Sequence, residues 1–344
     1  MKESYTGKRA LFVGNGINRT EKNNGISWID LLKNISKSYG IDTDLENDLK
    51  PFPLAFEEMM YKKEGRNDPY DKLKNLKVRI AEVFEENANS LIDNEIHTRL
   101  MQCGIEEIIT TNYDYNLQSS IIPDFKGSKA KYSINNLESR HSLYRGYKIN
   151  GVTVRQIHGE LNHNRLITSN ANHYLEESIM IGFEQYAEYF ARIQSVINGE
   201  SGKRSDAERK SLLVRIRDGQ IGKIWTDLFF THQLIFAGFS LDFSENHLWW
   251  LLTKREDLKS GKNTFGVRIN NEIIFCVPQI PISSFTYSIS TESDFNTLYK
   301  KRLDRQRNKA VADVLSSFGV HINEIQCENY REFYSRVIDQ YSLL

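Results

Sequence analysis

The sequence has few cysteines, no long apolar run and no excess of charge of either sign. Its three cysteines lie far apart and form no CxxC pair, which disfavours a disulfide framework and a thiolate zinc site. No apolar stretch approaches the roughly 20 residues that cross a bilayer, and the first residues do not resemble a secretory signal. Lysine plus arginine and aspartate plus glutamate both number 45, whereas nucleic-acid binders are usually basic. We therefore expect a cytoplasmic protein that contacts neither a membrane nor nucleic acid directly.

Six short apolar runs predict the strands of a sheet. The runs are continuous rather than alternating, which is typical of parallel strands that are buried on both faces. Segments with helical periodicity separate most of them, so we predict an α/β fold with a doubly wound, mostly parallel sheet. The predicted strands are Ala10–Val13, Ile105–Thr110, Val154–His158, Leu234–Gly238, Ile273–Val277 and Val320–Ile325.

The chain is long enough to bury one large core, or a core domain that carries a smaller insert, and we predict a single domain over residues 1–344. Roughly sixty residues separate Gly40 from the second strand, far more than a crossover requires, so we interpret residues 41–103 as an inserted helical module. Residues 183–230 form a second helical region. Ser27, three residues before Asp30, predicts the start of the first helix, and Asn150-Gly151 predicts a tight hairpin turn.

The first candidate binding segment is Gly14-Asn15-Gly16-Ile17-Asn18, which directly follows the first strand. Glycines at such a position allow backbone N–H groups to approach a phosphate closely. The third glycine of the dinucleotide-binding fingerprint is missing. A plain turn at the end of a strand therefore explains the pattern about as well as a nucleotide site does.

The second candidate segment is Thr110-Thr111-Asn112-Tyr113-Asp114, at the end of the second strand. Open α/β sheets bind their ligands at the carboxyl ends of their strands. The Asn112 amide can both donate and accept hydrogen bonds, which suits ribose hydroxyls or a positioned water, and Asp114 can orient a polar neighbour. The alternative is a turn in which Asn112 and Asp114 bond to the local backbone.

Two further segments follow predicted strands. His158-Gly159 offers an imidazole that can act as a base near neutral pH, although a single histidine is more often structural. Gly238-Phe239-Ser240 precedes a predicted helix, and Gly238 and Ser240 are candidates for contact with a diphosphate at the start of that helix.

In their order along the chain, these four segments resemble the motifs of the sirtuins. Sirtuins have Gly-Ala-Gly-Ile-Ser, Thr-Gln-Asn-Ile-Asp, His-Gly and Gly-Thr-Ser at the corresponding strand ends. The resemblance implies a Rossmann-like fold that binds NAD+ across the carboxyl edge of the sheet. The four-cysteine zinc module of protein-deacylating sirtuins is absent from this sequence. The motifs are more similar to those of the sirtuin-like NAD-hydrolysing effectors of bacterial anti-phage defence.

This resemblance implies an NAD+ glycohydrolase that takes NAD+ as its substrate and uses no metal. The implied catalytic residues are Asn112, His158 and Asp114. The implied NAD+-binding residues are Gly14, Asn15, Gly16, Ile17, Asn18, Thr110, Thr111, Gly238, Phe239 and Ser240.

Because unregulated loss of NAD+ would poison the cell, we expect the activity to depend on a homo-oligomer, on a separate activating sensor subunit, or on both. Such a companion would sense nucleotides or be an ATPase. Two alternatives to hydrolysis stay open. One is a module that binds NAD+ or ADP-ribose without turnover, and the other is an NAD-dependent deacylase or ADP-ribosyltransferase.

Overall fold

A computed structural model describes residues 2–20, 25–45, 50–62, 69–88, 94–123, 125, 132–134, 143–161, 179–199, 209–261, 263–281 and 306–343. The strands in this part of the chain are β1 (Lys2–Glu3), β2 (Arg9–Val13), β3 (Glu107–Thr110), β4 (Ser133–Ile134), β5 (Gly146–Ile149), β6 (Val152–Gln156), β7 (Gln233–Ala237), β8 (Val267–Arg268), β9 (Ile273–Gln279) and β10 (His321–Gln326). The helices are α1 (Trp28–Tyr39), α2 (Phe52–Lys62), α3 (Pro69–Ala88), α4 (Glu95–Gln102), α5 (Asn116–Ser119), α6 (Phe183–Asn198), α7 (Leu212–Asp218), α8 (Leu228–Thr231), α9 (Asn246–Ser260), α10 (residues 306–317) and α11 (Tyr330–Tyr341).

Eight strands form one sheet in the order β10-β9-β7-β2-β3-β6-β5-β4, and β1 pairs with β8 separately. From β10 to β6 all neighbours are parallel, whereas β5 and β4 join the edge antiparallel. The mixed α/β architecture with a mostly parallel sheet agrees with the prediction from the apolar runs. These runs are continuous because helices cover both faces of the sheet.

The predicted strand ends are wrong at two positions that concern the site. His158 lies two residues beyond β6, because Gly159 N–H bonds to the Gln156 carbonyl and turns the chain. Gly238 lies just outside β7 and has a φ of +63°, which is incompatible with an extended strand. Both residues therefore belong to the loops at the carboxyl edge of the sheet.

The direction in which the chain adds strands to the sheet reverses between β2 and β7. From β2 the chain passes outward to β3 and β6, and it then returns to the other side of β2 to form β7, β9 and β10. The carboxyl ends of β2 and β7 thus flank the point where open α/β sheets bind ligands.

Apolar side chains fill layers on both faces of the sheet. Phe12 and Phe236 belong to one cluster, whereas Leu11 and Ile235 belong to the other, as expected because successive strand residues point to opposite faces. A third cluster joins α1, α2 and α3 around Tyr113. These three clusters anchor the loops at the carboxyl edge from different sides.

The helices within residues 41–103 pack in two different places. Helices α2 and α3 contact α1, whereas α4 contacts α5 and α11 beside the sheet. The single domain over residues 1–344 and the inserted module at 41–103 remain predictions. Helices α6 and α7 lie within the predicted second helical region, and α8 begins in it and ends one residue beyond it. Residues 200–208 of this region lie outside the described part of the chain.

Two local predictions are confirmed. The Ser27 hydroxyl accepts a hydrogen bond from Asp30 N at 3.1 Å and caps α1. Asn150 and Gly151 have φ values of +49° and +91° and connect β5 to β6 in a two-residue hairpin turn. Among the described helices, none combines the length and apolar character needed to span a membrane.

Candidate active site

The loops that follow β2 and β7 are in direct contact. Gly16 N donates to the Gly238 carbonyl at 3.2 Å, and Gly14 N donates to the Ala237 carbonyl at 3.3 Å. A Cβ atom added to Gly14 would lie 2.6 Å from the Gly238 oxygen, and one added to Gly16 would lie 2.6 Å from the Tyr334 hydroxyl. Chain packing therefore requires glycine at both positions, independently of any phosphate.

The other members of the β7 loop differ widely in exposure. The ring of Phe239 is partly buried, and its centroid lies 4.9 Å from that of Phe12 in the core. Ser240 is exposed, six residues before α9 begins at Asn246. Phe239 thus has a packing role, while Ser240 is accessible to a ligand.

A short 3₁₀ turn, Asn15–Arg19, connects the first candidate segment to Asp114. Ile17 in this turn is fully buried in the core. The Asn18 amide donates to Asn15 Oδ1 at 3.0 Å and to Asp114 Oδ2 at 2.9 Å. These bonds tie the loop after β2 to the loop after β3.

Asp114 is held by further groups on its other side. Its Oδ1 accepts from Asn116 N at 3.0 Å, as in the turn that was the alternative interpretation of this segment. Burial raises the pKa of the Asp114 carboxyl, and the bonds from Asn116 and Asn18 oppose that rise. His97 Nε2 lies 2.9 Å from Asn18 Oδ1 and closes the network. These contacts suit Asp114 for orienting its neighbours.

Asn112 lies in the loop after β3 and is 4% exposed. Its backbone N–H bonds to the Thr110 hydroxyl at 3.1 Å, and its side-chain Nδ2 lies 3.5 Å from the Gly14 carbonyl. Thr110 and Thr111 are both buried beside it. The Asn112 Oδ1 atom is buried and has no hydrogen-bond partner among the described residues. Because an unsatisfied buried acceptor is unfavourable, this oxygen is available to a ligand hydroxyl.

His158 is 2% exposed and has a partner near each ring nitrogen. Nδ1 lies 3.4 Å from the Tyr186 hydroxyl, while Nε2 lies 3.3 Å from His247 Nε2 and 3.4 Å from Glu245 Oε2. Its backbone carbonyl accepts from Met180 N at 2.7 Å, which fixes the loop. The imidazole is therefore part of a buried polar cluster.

The strand register relates Asn112 to His158. Thr110 pairs with Gln156 across the parallel strands β3 and β6. Asn112 lies two residues after Thr110, and His158 lies two residues after Gln156. The Ile157 N–H also bonds to the Thr110 carbonyl at 2.9 Å, which keeps the two chains together beyond the ladder. Both residues consequently lie at the same carboxyl edge of the sheet.

Glu245, His247 and Tyr186 were not identified from the sequence. Burial raises the pKa of Glu245 to about 8 and lowers that of His247 to about 3, and it also raises the pKa of Tyr186. The sequence predicts no metal, yet His158, Glu245 and His247 each place one donor atom within 4.8 Å of the others. This set of nitrogen and oxygen donors is chemically suited to a transition-metal ion.

A known family model matches the part of the chain that contains most of these residues. Residues 106–257 match the family model described as SIR2-like domain, and the match includes Asn112, Asp114, His158 and Gly238. No curated protein matches the chain. The match supports a sirtuin-like family member, and the observed sheet is compatible with a Rossmann-like fold of this kind. SIR2-like domains are often NAD-dependent enzymes, which suggests a function related to NAD.

Proposed function

We propose that this protein is an NAD+ glycohydrolase in which Asn112 and His158 act on the nicotinamide ribose. The observation that supports the proposal is that both residues follow neighbouring parallel strands and lie at the same carboxyl edge of the sheet. Each lies two residues beyond a paired strand position, and Asn112 Oδ1 is buried without a partner. A ribose hydroxyl is a donor that fits this acceptor.

The reaction converts NAD+ and water to ADP-ribose, nicotinamide and a proton. As the N-glycosidic bond breaks, positive charge develops on the ribose, and neutral nicotinamide leaves without needing an acid. The demands on the protein are therefore orientation of the ribose and admission of water. Asn112 holds a ribose hydroxyl or the water, and His158 accepts a proton from one of them. Asp114, held by Asn18, positions the loop that carries Asn112.

The predicted NAD+-binding residues remain proposals with unequal support. The N–H groups of Gly14 and Gly16 already donate to the Ala237 and Gly238 carbonyls, so they give little support to a diphosphate contact. Ser240, two residues after Gly238, is exposed and accessible to a diphosphate. Phe239 and Ile17 act through packing, because their side chains belong to the core. The remaining predicted residues shape the loops at the carboxyl edge of the sheet. They are Asn15, Asn18, Thr110 and Thr111.

The test is to incubate the purified protein with NAD+ and to resolve nicotinamide, ADP-ribose and cyclic ADP-ribose. His158→Ala should lower nicotinamide release by about 100-fold or more, the usual contribution of a positioned proton-transfer group. Asn112→Ala should lower it by about 100-fold, because loss of the amide misplaces the ribose or the water. Matched controls are Asn34→Ala on the exposed side of α1 and His321→Ala at the exposed start of β10. Hydrolysis at the wild-type rate by either site variant would show that the assigned roles are wrong.

The same assay separates the alternatives. A module that binds NAD+ or ADP-ribose without turnover gives a binding isotherm in calorimetry but releases no nicotinamide. A deacylase or ADP-ribosyltransferase releases nicotinamide when an acyl-lysine peptide or an acceptor protein is added. Hydrolysis of NAD+ alone by the wild-type protein would exclude both.

We further propose a cytoplasmic, regulated role as an NAD-depleting effector of bacterial anti-phage defence. The support is the similarity of the four motifs to that group of proteins. Activity would then depend on a homo-oligomer, an activating nucleotide-sensing or ATPase subunit, or both. Size-exclusion chromatography with light scattering, run beside the NAD+ assay over a range of protein concentrations, tests the first dependence. Specific activity that stays constant from monomer to oligomer would contradict it.

A further inference from the structure

The buried cluster around His158 has the geometry of a small metal site. His158 Nε2 lies 3.3 Å from His247 Nε2 and 3.4 Å from Glu245 Oε2, and His247 Nδ1 lies 3.8 Å from the same oxygen. In a tetrahedral site with bonds of about 2.0–2.1 Å, neighbouring ligand atoms are about 3.3–3.4 Å apart. Two of these separations equal that value.

Two atoms of this cluster have no hydrogen-bond partner among the described residues, Glu245 Oε2 and His247 Nδ1. The two side chains are 13% and 1% exposed, so water cannot freely compensate them. A buried carboxylate oxygen without a hydrogen bond is unfavourable unless the group takes up a proton, is paired with a cation or coordinates a metal. The unsatisfied oxygen is a second reason, independent of the spacing, to place a cation here.

We propose that His158, Glu245 and His247 bind one divalent transition-metal ion, with zinc as the best fit to two imidazoles and a carboxylate. Three protein ligands leave a fourth tetrahedral position for water or another small ligand. The Tyr186 hydroxyl lies 3.4 Å from His158 Nδ1, where metal-bound histidines usually have a polar partner. Glu245 and His247 lie at the start of the 15-residue helix α9, so a rigid element carries two of the ligands.

Occupancy of this site would remove His158 from catalysis. The ion would take the Nε2 lone pair, whereas a base needs that lone pair free to accept a proton. Bound metal would therefore inhibit NAD+ hydrolysis, and its removal would restore the activity. This consequence rests on the proposed function, whereas the metal site itself does not.

The site is tested on the full chain after dialysis against a chelator. Zinc chloride is titrated in by calorimetry, and cobalt chloride is added separately as a spectroscopic probe. We expect one equivalent to bind with a Kd in the micromolar range or below, and cobalt to give the visible bands of a four-coordinate ion without sulfur-to-metal charge transfer. Absence of stoichiometric binding, or a spectrum of sulfur ligation, overturns the proposal.

Variants locate the site. Glu245→Gln and His247→Gln should each weaken zinc binding by at least 10-fold, while Glu324→Gln and His321→Gln, at exposed positions on β10, should leave it unchanged. Circular dichroism confirms that each variant is folded. If a site variant does not fold, the cobalt spectrum of the wild-type protein decides the outcome instead. Zinc binding that is equally tight in folded site variants and controls overturns the assignment.

The inhibitory consequence is measured separately, as nicotinamide release by the chelated protein with increasing zinc. Hydrolysis should fall as the site fills, and Glu245→Gln should shift the midpoint to at least 10-fold higher zinc. If chelated protein binds zinc but never hydrolyses NAD+, the proposed function fails while the site stands. If it hydrolyses NAD+ equally with and without saturating zinc, inhibition through His158 is wrong.

Discussion

The contact between Gly238 and Tyr334 allows a quantitative test of how the candidate site is held together. A Cβ atom on Gly238 would lie 1.6 Å from the Tyr334 hydroxyl oxygen and 2.6 Å from the adjacent ring carbon. Gly238→Ala therefore creates a steric overlap in addition to placing alanine at a φ of +63°. Gly40 has nearly the same φ, +61°, but its added Cβ would meet nothing within 4 Å. Gly40→Ala is consequently the matched control.

The two substitutions share all contributions except the overlap. A left-handed conformation costs a non-glycine residue about 1–2 kcal/mol, and the smaller entropy of the unfolded chain offsets about 0.4–1 kcal/mol of this. Overpacking adds about 1–3 kcal/mol. We expect Gly238→Ala to lower the free energy of unfolding by about 1–3 kcal/mol more than Gly40→Ala does. Urea unfolding followed by tryptophan fluorescence measures both values.

Tyr334→Phe supplies the second half of this test. The Tyr334 hydroxyl is buried and makes no hydrogen bond with the described residues, so its removal alone should change stability by less than about 1 kcal/mol. In the Gly238→Ala background it should recover part of the loss, because the nearest atom is then the ring carbon. Equal destabilisation by Gly238→Ala and Gly40→Ala, or strict additivity of Gly238→Ala with Tyr334→Phe, would refute the steric argument.

Two further predictions concern buried charge away from the candidate site. Arg215 Nη2 lies 2.6 Å from Asp227 Oδ1, and both side chains are at most 1% exposed. Asp227→Ala should therefore lower the free energy of unfolding, measured in urea, by about 3–5 kcal/mol, because it leaves a buried charge unpaired. The double change Arg215→Met with Asp227→Leu should lower it clearly less. Burial lowers the pKa of His232 to about 4, below its usual 6.5. The unfolded chain therefore binds a proton there that the folded protein does not, so stability should fall as pH drops from 6.5 to 4. His232→Gln should flatten this dependence by up to about 3 kcal/mol, and an unchanged slope would contradict the assignment.

Much of the fold could be predicted, because strands that are buried on both faces appear in the sequence as continuous apolar runs. The runs at Ala10, Ile105 and Leu234 all contain strands, since apolar residues are strongly favoured where helices cover both sides of a sheet. The ends were less predictable. Gly238 leaves β7 with a φ of +63°, and the groups packed against it, Tyr334 and the β2 loop, come from distant parts of the chain.

The glycines of the β2 loop show why part of the site could not be predicted. A Gly-x-Gly pattern is compatible with a phosphate and with a close approach of two chain segments. Gly16 and Gly238 make such an approach directly, at 3.2 Å between N and O. Their positions thus have a structural explanation before any ligand is considered, and Asn112 and His158 give stronger support to NAD+ binding.

The partners of His158 could not be predicted, because 89 residues separate it from His247 and only the fold brings the two side chains together. In sequence, Glu245 and His247 are two polar residues at the start of a helix. In the fold, they lie beside the nitrogen that a ribose hydroxyl or water would have to reach. His158 Nδ1 already faces Tyr186, so the imidazole can act on a substrate oxygen through Nε2 only if its contacts with His247 and Glu245 are exchanged. If both proposals hold, substrate, proton and metal ion compete for one buried nitrogen. Measuring which of the three occupies His158 Nε2 tests the function more directly than the presence of the sequence motif does.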